Sequence, residues 1–145
     1  MTTMLEHARM MLRGEEPPPP IAALLGFTLT AVGDGEATIE LKVDERLANP
    51  MGTVHGGVLG DIADAAMGTA LASTLHEGET FTTLELKINF LKPVWSGTLR
   101  AHGRVVKAGH TVGLVECDVL DAQNRLVARA SSTCMTLRGA QAAGR

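Results

Sequence analysis

Asn49-Pro50-Met51-Gly52-Thr53-Val54-His55-Gly56-Gly57-Val58-Leu59-Gly60-Asp61-Ile62-Ala63-Asp64-Ala65-Ala66-Met67-Gly68-Thr69-Ala70 is the stretch on which the fold turns. Asn49 to Gly57 read as loop, because Asn-Pro and paired glycines are turn chemistry. Val58–Leu75 reads as a helix: it contains no proline and is rich in Ala, Leu, Met and Ile. At about 100° per residue, Leu59, Ile62, Ala63, Ala66 and Ala70 share one face. Their side chains are mostly small, so a sheet can approach this helix closely. Asp61, Asp64 and Gly68 share the opposite face.

Outward from this helix the chain reads as strands. Glu36–Val43 alternates Ala37, Ile39, Leu41 and Val43 with Thr38, Glu40 and Lys42, the period of a half-buried strand. Thr82–Leu91 places Leu84, Leu86, Ile88 and Phe90 on one face and Thr83, Glu85, Lys87 and Asn89 on the other. Lys92–Gly97 is a Pro-containing link. Thr98–Lys107 and Val112–Leu120 form a hairpin around Ala108-Gly109-His110-Thr111, and Leu126–Leu137 is the last strand. The expectation is an α+β domain in which an antiparallel sheet, ending in a four-strand meander, wraps its dry face around one long helix.

Upstream, residues 4–13 form a short helix with Met4, Leu5, Ala8, Met11 and Leu12 near one face, ended by the proline run Pro17–Pro20. Residues 21–32 enter the domain as a helical turn running into a strand, and Gly33-Asp34-Gly35 is a turn. This divides the chain into an N-terminal helix and Pro-rich segment (1–20), one domain (21–138) and a small polar tail (139–145).

The 145 residues are 45% hydrophobic and 20% charged, which fits one globular domain. A net charge of −3, with three Phe, one Trp and no Tyr, argues against a nucleic-acid partner. Cys117 and Cys134 lie in strand-like runs and read as buried free thiols. No Cys or His spacing suggests a metal. Residues 1–20 lack the apolar core of a secretory leader and Ile21–Val32 is too short to span a bilayer. The expected setting is therefore the cytoplasm, without a membrane partner.

The start of a helix offers free backbone N–H groups in a positive field. Such groups can hold a carbonyl oxygen as it becomes an oxyanion. Paired glycines expose those amides, and a carboxylate further along can attack or activate water. Together these features point to acyl transfer to water. Asp64 is the stronger carboxylate candidate, since it lies two turns in, beyond the reach of the helix-dipole preference that explains Asp61.

The spacing of Asn49, His55, Gly56, Gly57 and Asp64 resembles that of the hotdog-fold acyl-CoA thioesterases, and within them the thioesterases of the phenylacetic-acid pathway. Thr83-Leu-Glu-Leu-Lys-Ile-Asn-Phe-Leu-Lys-Pro93 is similar to the family's central strand and Pro loop. The resemblance runs from about residue 22 to 137. It implies a sheet wrapped around a central helix, a homodimer or a tetramer of paired dimers, and active sites at the subunit interface. It also implies that Gly56 offers its N–H to the thioester carbonyl. Asp64 would serve as nucleophile or general base, with the spacing leaving both open. His55 and Asn49 would order the loop and the reaction centre, and Thr83 would position water. Gly57, Arg104, Lys107, Gly109 and His110 are candidates for holding CoA, with Arg125 and Arg138 as further cations. No cofactor is needed, because CoA is part of the substrate. Met51 and Met67, with Met4, Met10 and Met11, are candidates for a flexible acyl pocket, and equally for ordinary packing.

Two other readings use the same residues. A hotdog hydratase or dehydratase needs a His–carboxylate pair placed for proton removal, and the nine-residue spacing from His55 to Asp64 suits it less well. A non-catalytic acyl-CoA-binding module has no use for Asp64.

Overall fold

The computed structural model describes residues 1–145. Helix α1 (Met4–Leu12) opens the chain, followed by α2 (Pro20–Leu25), β1 (Phe27–Gly33), β2 (Glu36–Val43), the long helix α3 (Gly56–Ala72), β3 (Thr80–Phe90), β4 (Gly97–Ala108), β5 (Val112–Leu120) and β6 (Leu126–Leu137). The strands form one antiparallel sheet in the order β1-β2-β4-β5-β6-β3. No helix is long and apolar enough to cross a membrane.

The sheet curls around α3 as the sequence indicates. Leu59, Ile62, Ala63, Ala66 and Ala70 are all buried, joined by Met67 and Leu71. The closest approach is made by a glycine of the sheet: a Cβ on Gly103 in β4 would lie 2.5 Å from the Ala66 carbonyl oxygen. Helix backbone and strand backbone meet there with no room for any side chain. Cys117 and Cys134 are buried free thiols; they pair across the sheet with Ala130 and Gly113 rather than with each other. Burial pushes the Cys117 thiol up to about 12.

Helix α3 starts and stops two or three residues earlier than its composition indicates. Its start is fixed by His55, whose Nδ1 accepts from the Gly57 N–H at 2.9 Å. At its end, Ser73 Oγ donates to the Ala70 carbonyl and Thr74 Oγ1 to that of Leu71, both at 2.7 Å, so side chains replace the next turn. Ser73 Oγ also accepts from the Gly35 N–H at 2.9 Å, tying the β1–β2 turn to this helix end.

The four-strand meander is corrected. β3 pairs with β6 and lies at the sheet edge; only β4, β5 and β6 form a meander. The link after β3 is too long and too Pro-constrained for a tight hairpin. The Leu91 and Lys92 N–H groups both donate to the Val127 carbonyl, and the Val94 carbonyl accepts from Val54 at 2.8 Å. The link therefore passes beneath the loop that precedes α3, and the chain re-enters the sheet beside β2.

The alternation of β3 is corrected as well. The register against β6 slips between Thr83 and Glu85, so Leu84 is an extra, bulged residue. Thr83 opposes Cys134 and Leu86 opposes Ser132, and both partners are buried. Thr83 thus faces the helix, on the same side as Leu86. Leu84 is expelled from the apolar face and is 58% exposed.

Candidate active site

The bulge sets the central contact. Thr83 Oγ1 donates to Asp64 Oδ1 at 3.1 Å, across the gap between β3 and the open face of α3. Asp64 has no counter-ion and is exposed in the single chain. Asp61, one turn back, is also exposed; partial burial first, and the like charge of Asp64 second, raise its carboxyl above the usual range.

At the helix start the backbone donors are almost fully spent. Val58 and Leu59 donate to the His55 carbonyl at 3.0 and 3.4 Å, and Gly57 donates to His55 Nδ1. The Gly56 N–H alone in this first turn has no acceptor in the chain. Gly57, expected to contact substrate, has its donor occupied. With Nδ1 accepting, the proton of neutral His55 sits on Nε2, on an exposed ring. A Cβ on Gly56 would lie 2.8 Å from Cζ of Phe90, and one on Gly68 at the same distance from Cζ of Phe81. Two aromatic rings of β3 therefore rest on two bare positions of α3, a pairing the sequence reading missed. The available signal was Gly68 itself, since glycine inside a helix costs about 1 kcal/mol against alanine and needs a reason to be there.

Asn49 is committed to its own loop. Its Oδ1 accepts from the N–H groups of Met51 and Thr53 at 3.0 and 3.2 Å, and its Nδ2 donates to Thr53 Oγ1 at 2.7 Å. It shapes the approach to His55 and Gly56, with one Nδ2 hydrogen left over.

The expected CoA-holding residues divide. Gly109 and His110 come together with Arg138 and His76 in a cavity of about 460 Å3 at the C-terminal end of α3. Lys107 is exposed on the same hairpin but outside that cavity. Arg104 belongs to neither: it pairs with Glu116 at 3.1 Å and Asp118 at 3.4 Å, in a network that also holds Arg129. Arg125 is bound to Asp121 at 2.8 Å.

Asp64 and Thr83 stand where two other spaces meet. One is an open groove of about 410 Å3 that runs past Gly57, Gly60 and Asp61 beside β3. The other is a cavity of about 610 Å3 between α1, α3 and β3. Of the expected acyl-pocket methionines, Met4 and Met11 line this cavity. Met67 is wholly buried in the core, Met51 is exposed on its loop, and Met10 faces elsewhere on α1.

The sequence model of the thioesterase superfamily matches residues 51–128, which include Gly56, Asp64 and Thr83. An esterase-named protein of Saccharolobus solfataricus is 36% identical over 104 residues, 72% of this chain and 74% of that one. Acyl-coenzyme A thioesterase 13 of Homo sapiens is 28% identical over 138 residues, 92% of this chain and 96% of its own length. Among solved structures, a phenylacetic acid degradation-related protein of Ralstonia eutropha superposes with a TM-score of 0.81 at 35% identity, covering 88% of this chain and 98% of that one. The chain belongs to the thioesterase superfamily and has its hotdog fold.

Proposed function

We propose that the protein hydrolyses acyl-CoA thioesters to the free acid and CoA, in sites assembled between two copies of the chain. The observation that carries this reading is that α3 presents both a carboxylate without a counter-ion, that of Asp64, and an N–H without an acceptor, that of Gly56. Asp64, held by Thr83, acts as nucleophile or general base. The Gly56 N–H polarises the thioester carbonyl and receives its charge as the tetrahedral centre forms. Thr83 orients the carboxylate and the water, and His55 holds the helix start in position. The similarity to acyl-coenzyme A thioesterase 13 supports a CoA substrate.

Geometry supports the two-chain site. Gly56 and Asp64 lie eight positions apart on one helix, about 12 Å along its axis. One thioester carbon cannot meet both. Strand β3 is an open sheet edge flanked by exposed Phe90 and Trp95, 56% and 63% accessible. A bare edge of this kind invites pairing with another strand. Antiparallel pairing of β3 with its copy, about a two-fold axis near Leu86, sets the Asp64–Thr83 end of one chain opposite the Gly56–Phe90 end of the other. The dimer thereby covers the edge and completes two equivalent sites.

Hydrolysis of a CoA-thioester panel, read by thiol release for wild type, Asp64→Asn and Asp61→Asn, tests the reading. Activity that falls at least about 10²-fold in Asp64→Asn and persists in Asp61→Asn supports it. Failure of every thioester to turn over would sink it.

A further inference from the structure

A cavity of about 610 Å3 lies beneath α1, and Asp64 and Thr83 stand at its mouth. Its walls are of two kinds. On one side, Ala65, Gly68 and Ala72 give a smooth strip of α3, with the Phe81 ring seated on Gly68. On the other, α1 contributes Met4 and Met11. The open groove on the far side of Asp64 is more polar, passing Gly57, Gly60 and Asp61. A thioester carbon held at Asp64 therefore has a polar route for one substituent and an apolar chamber for the other.

We propose that the chamber takes the acyl group, that this group is a saturated aliphatic chain of medium length, and that α1 sets the limit through Met4 and Met11. This rests on the hydrolase reading above. From Asp64 to Ala72 the chamber follows α3 for about 12 Å. An extended chain advances about 1.2 Å per bond, judged from the peptide backbone at three bonds per residue, so about eight to ten carbons fit. Thr69 and His7 also line the chamber, and beyond Ala72 the walls become charged. Glu79 and Thr80 line the end, and the Glu79 carboxylate is fixed there by the Arg138 Nε at 2.7 Å and the His76 N–H at 2.9 Å. A longer chain would press methylenes against that ion pair. Methionine, with three rotatable bonds, suits a wall that must follow a flexible chain.

Helix α1 is built to hold this position. Thr3 and Glu6 form a capping box at its start. Ala8 is buried where α1 packs on β1. His7 Nδ1 meets Glu16 Oε1 at 2.8 Å, clasping the helix to the turn that follows it.

The test uses the full chain and two readouts. The first is kcat/KM across straight-chain acyl-CoAs from two to sixteen carbons, with phenylacetyl-CoA and benzoyl-CoA alongside. The expected optimum is at about eight to ten carbons. In Met11→Trp the ratio of octanoyl-CoA to butyryl-CoA activity should fall about tenfold or more, since each methylene denied burial forfeits about fourfold. The second is calorimetric binding of uncleavable S-alkyl-CoA thioethers, on wild type and on Met4→Ala as a milder variant. Affinity should rise about three- to fourfold per methylene until the chamber is full, and Met4→Ala should flatten the rise. An aryl thioester as best substrate, a chain-length profile unmoved by Met11→Trp, or thioether affinity independent of length would each overturn the inference. If no thioester is cleaved but the thioethers still show the length dependence, the hydrolase reading fails and the chamber assignment stands.

Discussion

The two faces of α3 carry opposite kinds of information. The inner face, Leu59, Ile62, Ala63, Ala66 and Ala70, is fully committed: each residue is buried and the sheet backbone touches it at Gly103. The outer face, Gly57, Gly60, Asp61, Asp64 and Gly68, lines open spaces. The inner face positions the helix to within a van der Waals contact. The outer face uses that rigidity to hold a carboxylate in place. Changes on the inner face should therefore register in stability, and changes on the outer face in rate.

The largest effect expected is on the outer face. Asp64→Asn keeps the side-chain volume and the Thr83 contact but removes the charge, so kcat should fall at least about 10²-fold with an unfolding midpoint close to that of wild type. Loss of stability in parallel would erase the contrast between the faces. Next comes Gly103→Val on the inner side. Its side chain has no space against the Ala66 carbonyl, and overpacking of this kind costs about 1–3 kcal/mol or more. Urea denaturation should show the loss, while kcat per folded molecule stays near wild type.

His55→Ala sits at the junction of the two faces. It removes the side-chain cap of α3, worth about 1 kcal/mol, and frees the Gly57 N–H to compete with that of Gly56. Both denaturant midpoint and kcat should decline modestly, and a change in only one of them would separate capping from catalysis. The smallest effect belongs to Asp61→Asn. The Asp61 carboxyl ionises at higher pH in the folded chain than its ordinary 3.8. Stability is therefore lost progressively as pH rises from 3.8 through the folded value, and the neutral variant should be slightly more stable at pH 7. That advantage should vanish below pH 3.8, where the carboxyl is protonated in both states. Denaturant midpoints at the two pH values check the sign, and kcat should stay within about twofold, since Asp61 is given no acid–base role.

The inner face was legible in the sequence because it is periodic: small and apolar residues recur at helical spacing. The β4–β5 hairpin was legible because its turn chemistry is local. The place of β3 was not, because pairing with β6 joins segments some fifty residues apart, and nothing within β3 records it. The bulge at Leu84 was hidden for the same reason. Thr82–Leu91 alternates without a flaw in sequence, and only the register against β6 turns Thr83 toward Asp64. Arg104 shows the limit on charge reading: a cation beside a hairpin is indistinguishable in sequence from one neutralised by Glu116 and Asp118 across the strands. At the site, the spacing and the resemblance named Gly56 and Asp64 as candidates. That the Gly57 donor is consumed by His55, and that Gly56 is left alone, depends on the rotamer of one ring.

The two-chain site can be tested most directly by complementation in mixed dimers. Gly56→Pro removes the donor while keeping a residue suited to the first helical position, with His55 already extended before it and the tip of Phe90 exposed enough to yield. Differently tagged Gly56→Pro and Asp64→Asn chains would be co-expressed and the mixed dimer isolated, beside a mixed dimer of wild type with the Gly56→Pro/Asp64→Asn double variant. Sites shared between chains give about half of wild-type activity in the first dimer, which keeps one intact site, and almost none in the second. The reverse, a silent first dimer and a half-active second, would place Gly56 and Asp64 of one chain in the same site and contradict the assembly.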